Sequence, residues 1–233
     1  MNTFRIAEIN LNMTAKGKIL KRQSKAYLSE KSTIADITID ISEDFLKQKQ
    51  KEMPHLTLDE CEYIWTGGDF YNKLLDFDGF MLHASAVAYE NKAYLFSARS
   101  GTGKSTHAEL WKKYFGADKA VIINDDKPAI RLMDNSFFVY GTPWSGKSDK
   151  NLNIKVPLRS IVFIERSETN RIDRIDNKQA IGLIMNQTLR PKQIEKMDKL
   201  FDLLDKLLAT VPIYKLCCNI SEDAVELAYK VIG

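Results

Sequence analysis

Apolar and polar residues alternate with a period of two through the first part of the chain, at Phe4/Ile6, Ile9/Leu11 and then Ile34/Ile37/Ile39/Ile41. That period marks strands with one buried face, and it predicts a β-rich segment at the start of the chain, over residues 1–66. The polar run at 47–52 reads as a solvated face, and Pro54 and Gly67-Gly68 read as punctuation. Beyond it, Tyr71, Leu74 and Leu75 fall at helical spacing and predict a short helix from Phe70 that ends near Asp78-Gly79. The apolar run 80–88 predicts a strand, Glu90-Asn91-Lys92 a turn, and residues 93–97 the second arm of a hairpin.

From Ser105 the positions Ala108, Leu110, Trp111 and Tyr114 predict a helix that stops at Gly116, a natural C-terminal cap. Residues 120–123 carry the unbroken apolar pattern of a buried strand, and the chain leaves it through Asn124-Asp125-Asp126-Lys127-Pro128. Further strands are predicted at 129–133, 137–140 and 160–164, with Asp134-Asn135 as a turn and 141–147 as a loop. Many strands around few helices predict an α/β fold with a mixed rather than purely parallel sheet. The C-terminal third turns helical, at Ile181, Leu183, Ile184 and then Ile194, Met197, Leu200, Phe201, Leu204, Leu207 and Leu208. A last strand at 211–218 and a last helix at 221–232, capped around Ser221-Glu222-Asp223, complete the prediction.

With 233 residues, 44% of them hydrophobic, the chain can build one substantial core. Its 34 basic and 31 acidic residues leave a charge of +3, far from the footprint of a protein that binds nucleic acid through phosphates. No run approaches the length of a membrane span, and residues 1–8 hold no apolar targeting segment. Cys61, Cys217 and Cys218 contain no C-x-x-C pair, and the adjacent two would close only a strained ring. These features predict a reduced, cytoplasmic protein without membrane or nucleic-acid partners.

One stretch carries chemistry. An apolar strand runs into Ala98-Arg99-Ser100-Gly101-Thr102-Gly103-Lys104-Ser105-Thr106 and leaves as a helix. Seven of eight positions fit the Walker A pattern G-x-x-x-x-G-K-[ST], with Ala98 in place of the first glycine. In such a phosphate loop, backbone N–H groups and the positive end of the helix receive an anion. Residues 100–106 therefore become candidate nucleotide ligands, with Lys104 reaching the outer phosphates and Ser105 a magnesium ion. Asp125 and Asp126 follow Lys104 by 21 and 22 residues, enough for one helix and one strand to bring them back beside the loop. One of them could share the magnesium with Ser105 while the other accepts a hydroxyl proton; their order stays open. His83, on the preceding strand, could line the same cleft or be a core histidine.

Leu82-His83-Ala84-Ser85-Ala86, the 100–106 loop and Asn124-Asp125-Asp126 together resemble the nucleotide core of HPr kinase/phosphorylase and ATP-dependent phosphoenolpyruvate carboxykinase, in order and in spacing. The resemblance covers about residues 80–165 and implies a P-loop, carboxykinase-like mixed sheet in a kinase domain over 67–233. It implies ATP and Mg2+ as cofactors, His83 as an active-site histidine, Lys104 and Ser105 on phosphate and metal, and Asp125 and Asp126 as metal ligand and base. The family is often oligomeric. Lys127-Pro128 stands where the kinases carry Arg, and the kinases' Arg-Gly-Leu-Gly segment is replaced by Tyr140-Gly141-Thr142-Pro143-Trp144-Ser145-Gly146-Lys147. Trp144 and Lys147 in that loop are candidate substrate contacts, or members of a rigid surface turn. The implied function is ATP-dependent phosphorylation of a serine-type hydroxyl on a protein, peptide or small molecule. A nucleotide-gated adaptor is the alternative from another class, and 233 residues leave little room for a carboxykinase.

Overall fold

The computed structural model describes residues 2–29 and 34–233; Met1 and residues 30–33 of the predicted N-terminal segment lie outside the described residues. The chain opens with a hairpin of β1 (Asn2–Ile6) and β2 (Ile9–Met13), turned by Ala7 and Glu8 at φ 50° and 63°. Two left-handed residues in a row make the tight turn that matches strand twist. A short strand, β3 (Ile37–Ile39), adds in parallel to β2. Phe4, Ile6, Ile9, Leu11, Ile37 and Ile39 are buried, as their alternation predicts, but Ile34, three residues before Ile37 and out of step with it, is 93% exposed and Ile41 is only half-buried.

More of residues 1–66 is helical than extended, which corrects the β-rich expectation. Helix α3 (Leu58–Leu74) packs on the small sheet at β3, and α1 (Lys18–Ser24) and α2 (Glu43–Glu52) pack on α3. The polar run at 47–52 is the solvated side of α2, laced by Glu43–Lys47 and Lys49–Glu52 ion pairs. Ser42 caps α2, and Thr57 and Glu60 form a reciprocal capping box that starts α3. Gly67-Gly68 does not punctuate the chain; it lies inside α3, so residues 66 and 67 belong to one helix. The reason is contact: a Cβ on Gly67 would sit 2.7 Å from Trp144 Cδ1. The helix ends through a 3-10 turn at Leu75–Phe77 and a left-handed Asp78.

A nine-stranded mixed sheet follows, in two halves that share one long strand. The first half holds β4 (Gly79–Met81), β8 (Ala129–Met133) and β9 (Ser136–Tyr140), all antiparallel. The second holds β5 (Ala84–Tyr89), β6 (Lys92–Ser97), β7 (Val121–Asn124), β11 (Arg171–Arg174) and β12 (Ile213–Cys218). The shared strand, β10 (Lys155–Arg166), pairs antiparallel with β9 at its start and then runs parallel to both β6 and β12. The predicted single strand over 80–88 is two strands, broken at Leu82-His83, because β4 pairs with β8 and β5 with β6 and β7.

Side chains on the second half alternate between two cores, as a pleated strand requires. Tyr94, Phe96, Val162 and Ile164 face α4 (Lys104–Phe115) and α7 (Glu222–Ile232). Leu95, Ile161 and Phe163 face α5 (Asn177–Met185) and α6 (Ile194–Thr210). A third core joins Phe4, Leu11 and Ile37 to Phe70, Met81, Tyr140 and Trp144, so the N-terminal elements bury their apolar face against the rest of the chain. Among the described residues no helix is long and apolar enough to cross a membrane, and all three cysteines are free thiols.

Candidate functional site

Strand register brings the candidate residues to one edge of the sheet. Ala84 at the start of β5 pairs with Ser97 at the end of β6, and Ala86 pairs with Asn124 at the end of β7. His83, the 98–103 loop and Asp125-Asp126 therefore leave the sheet side by side. Cross-links fix this arrangement: the Ser97 hydroxyl donates to the His83 carbonyl at 2.8 Å, and the Ala84 N–H to the Asp126 carbonyl at 3.1 Å.

Gly101 and Gly103 hold φ of +77° and +126°, and a Cβ on either would meet nothing within 4 Å. Backbone conformation, not crowding, demands glycine at both positions. Ala98 is not among the left-handed residues, so the loop's first position accepts a side chain without strain. Lys104 starts α4 and folds back over the loop, its Nζ donating to the Ala98 carbonyl at 3.2 Å. Burial pulls its ammonium pKa down, and Asp126 and Asp125 oppose that shift. Lys104 thus lies within the field of both carboxylates. Arg166, at the end of β10, donates to the carbonyls of Gly101 and Thr102 and ties the loop to the sheet. Ser105 and Thr106 are exposed in the first turn of α4, where N–H groups have no partner within the helix.

Asn124 organises the acid pair. Its side-chain oxygen accepts from the N–H groups of Asp126 (2.9 Å) and Lys127 (2.7 Å), and its amide donates to Thr142. Asp125 is buried and accepts from Ser85 Oγ at 2.6 Å through Oδ1; no described residue bonds its other oxygen. Asp126 meets His83 Nε2 at 3.1 Å through one oxygen and Lys127 Nζ through the other. Burial pushes the Asp126 carboxyl up, but the His83 hydrogen bond and the Lys127 charge outweigh it and hold the pKa below the usual aspartate value. The other His83 nitrogen, Nδ1, lies 2.9 Å from Gln187 Oε1, so the ring is held from both sides.

The 141–147 loop contributes differently from expectation. Trp144 is 1% exposed, stacked on Phe70 at 4.9 Å and edge-on to Tyr71, so its indole belongs to the core and offers no face to a substrate. Lys147 is exposed in a 3-10 turn at Gly146–Ser148. Gly146, at φ +71°, packs directly on Asp126, where a Cβ would lie 2.9 Å from the Asp126 Cβ. Tyr63 accepts from the Gly146 N–H, and the buried Gln23 bridges the Gly146 carbonyl and Ser145. Ser85, Asn124, Arg166, Gln187, Gln23 and Tyr63 are the supporting residues that the sequence reading did not single out. Ser85 and Asn124 lay inside quoted motifs; the other four reach the site only through long-range contacts.

Among the described residues no group of three or more His, Cys, Asp or Glu side chains could hold a metal by itself. Magnesium seldom needs such a cage, because it keeps waters and takes one or two carboxylates plus substrate phosphates. Asp125, one of whose carboxylate oxygens has no hydrogen-bond partner among the described residues, and the exposed Ser105 carry oxygen donors of the type magnesium takes.

No protein-family model matches the chain, and no curated protein matches it in sequence. Among solved structures it is similar to the HPr(Ser) kinase/phosphatase from Coxiella burnetii, at 10% identity and a TM-score of 0.36, over 65% of this chain and 95% of that one. A likeness of that size bears no functional weight; the residues of the site do.

Proposed function

We propose that the chain is a magnesium-dependent phosphotransferase that moves a phosphoryl group from ATP to a serine-type hydroxyl on a protein, peptide or small molecule. The observation that supports it is the convergence of Lys104, Asp125 and the Asp126–His83 pair at the edge where the glycine loop opens. An ordinary strand-turn-helix junction has no use for a buried lysine facing two carboxylates.

In this reading the N–H groups of residues 101–105 and the Lys104 ammonium bind the phosphates, and Ser105 and Asp125 hold magnesium. The metal supplies charge neutralisation on the transferring group. Asp126 accepts the hydroxyl proton as the acceptor oxygen bonds to the terminal phosphorus and the bond to the leaving diphosphate breaks. His83 and Lys127 keep the Asp126 carboxylate oriented and ionised for that task. Positioning and charge stabilisation then supply most of the acceleration.

The test is transfer from γ-labelled ATP to a panel of hydroxyl-bearing peptides and metabolites, with binding measured in parallel. Asp126→Asn should keep nucleotide affinity and lose transfer by about 10²-fold or more. Tight binding by the wild type with no labelled product on any acceptor would instead support the adaptor.

A further inference from the structure

Residues 16–25 hold five cations, Lys16, Lys18, Lys21, Arg22 and Lys25, and no carboxylate. The whole chain carries +3, so the remaining residues together carry −2 and the positive charge is concentrated in this one stretch. It folds as α1, which turns Leu20, Gln23 and Ser24 inward and leaves Lys21, Arg22 and, one residue past its end, Lys25 exposed. Lys147 is exposed on the loop that packs against α1, where Gln23 Nε2 donates to the Gly146 carbonyl at 3.0 Å. Arg22, Lys25 and Ala26 line a shallow hollow of about 500 Å3 together with Gln23, Asp149 and Asn151.

Little in the fold answers this charge. Among the described residues Asp149 is the one carboxylate bonded to it, through Arg22 Nε at 2.5 Å, and Lys21, Lys25 and Lys147 meet no acceptor side chain. The nearby acids are engaged elsewhere: Asp59 and Glu62 accept the N–H groups of Lys16, Gly17 and Lys18, and Glu109 pairs with Lys150. Glu60, which lies in the field of Lys147, is held in the capping box of α3. The C-terminal end of a helix favours cations, but its partial charge of about −0.5 cannot balance four of them. Like charges three or four positions apart, such as Lys21 and Arg22 against Lys25, repel one another. The pattern is that of a surface completed by a partner's negative charge. The face also borders the proposed base. Gly146 packs on Asp126, and Gln23 and Asn151, which line the hollow, both bond Ser145 beside it. One layer of loop thus separates the hollow from the Asp126 carboxylate, on the order of 10–15 Å or about three to five residues of extended chain.

We propose that the basic face of α1, with Lys147, docks an acidic stretch of a polypeptide acceptor, with Asp or Glu about three to five positions from the hydroxyl that receives the phosphoryl group. The assignment rests on the phosphotransferase reading above and adds to it the class of acceptor. The spread of the cations favours a polypeptide. Lys21 and Lys25 stand about 6 Å apart along the helix axis and Lys147 lies on another element, so separate carboxylates suit them better than one small acid. Their confinement to one face disfavours a longer polyanion, because nucleic acid or an anionic bilayer would also meet the net-negative remainder of the surface.

The experiment uses the full chain with magnesium and a non-hydrolysable ATP analogue, and follows the binding of serine-centred peptides by fluorescence anisotropy. A peptide with Glu about three to five positions from the serine should bind at least about tenfold more tightly than its Gln counterpart, and the difference should shrink as salt rises. The double variant Lys21→Glu/Lys25→Glu changes two exposed side chains that bond no other; it should lose that preference and favour a Lys peptide instead, while the urea midpoint and ATP affinity hold. Asp149→Asn, which frees Arg22, should strengthen binding of the Glu peptide about two- to fivefold. The proposal is overturned if the wild type binds the Glu and Gln peptides equally, if the Glu preference survives the double variant, or if duplex DNA or phosphatidylserine vesicles bind more tightly than the Glu peptide. With γ-labelled ATP in place of the analogue, labelling of the Glu peptide at a kcat/KM at least about tenfold above the Gln peptide supports both readings. Glu-selective binding with no label on any peptide leaves the docking face and removes the transferase. Equal labelling of the Glu and Gln peptides leaves the transferase and removes the docking face.

Discussion

Gly146→Ala isolates the contact between the 141–147 loop and the proposed base. The backbone there holds φ +71°, a left-handed conformation that costs a residue with a Cβ roughly 1–2 kcal/mol. The added methyl would also lie 2.9 Å from the Asp126 Cβ, 3.1 Å from its Cγ and 3.3 Å from its Oδ2. Carbon atoms in contact rest at about 3.5–4.0 Å, so one partner must retreat by roughly 0.5–1 Å. Neither is free to do so. Asp126 is tied by Asn124, His83 and Lys127, and Gly146 by Tyr63 and Gln23. A shift of about 1 Å at a reacting group can cost on the order of 10²-fold in rate. We therefore expect a stability loss of about 1–2 kcal/mol in equilibrium urea unfolding, together with a fall in phosphoryl transfer of roughly ten- to a hundredfold. Nucleotide affinity should stay within about twofold, because none of the loop's tethers touches residues 98–106. A folded Gly146→Ala protein that transfers at the wild-type rate would refute the reasoning, since Asp126 would then tolerate displacement and could not be the group that takes the proton.

Other expectations follow from single contacts. Trp144→Ala should cost about 3–5 kcal/mol in urea unfolding, because the indole is fully enclosed against Phe70 and Tyr71; a loss below about 1 kcal/mol would return Trp144 to the surface. Lys104→Met should lower ATP affinity by more than about tenfold, yet leave unfolding stability unchanged or higher, because it removes an ammonium whose burial already disfavours its charge. The pH dependence of stability should carry the signature of Asp126. Its folded pKa is depressed, so its contribution is present above the unfolded value of about 3.9 and is lost as pH falls through the folded value. Urea midpoints of the wild type should therefore fall more steeply than those of Asp126→Asn as pH drops below about 4, and parallel acid limbs would contradict the assignment.

What the sequence made legible was local. The glycine loop, its lysine and the helix behind it occupy consecutive residues, and the alternation at Phe4 through Met13 encodes a buried face directly. What it concealed depends on partners far along the chain. Gly67-Gly68 has the composition of a break, and only the indole of Trp144, lying against Gly67, explains glycine inside a helix. The Thr57-x-x-Glu60 capping box was available as a start signal for α3, but the glycines drew the boundary too late. Strand β11 went unpredicted because Arg171–Arg174 contains one apolar residue and sits exposed at the sheet edge, where hydrophobicity carries no information. Trp144 read as a ligand contact for a related reason: an aromatic residue in a Pro/Gly loop has the same composition whether it faces solvent or core.

The break at Leu82-His83 shows why the site falls where it does. Residues 80–88 are apolar except for His83 and Ser85, so the pattern gives one strand, yet the chain changes partners there and passes from one half of the sheet to the other. It makes the reverse crossing at residues 125–128, between β7 and β8. Each crossing takes backbone N–H groups out of the strand ladder, and buried N–H groups must find acceptors elsewhere. They find them in one another and in neighbouring loops: His83 donates to the Gln187 carbonyl, Ala84 to Asp126, and Asp125 to Lys150. The seam is thereby locked by long-range backbone bonds at the two places where it presents a histidine and two carboxylates. Rigid side-chain placement outside regular strands is what the proposed transfer would require, and in this fold the junction of the two half-sheets provides that placement.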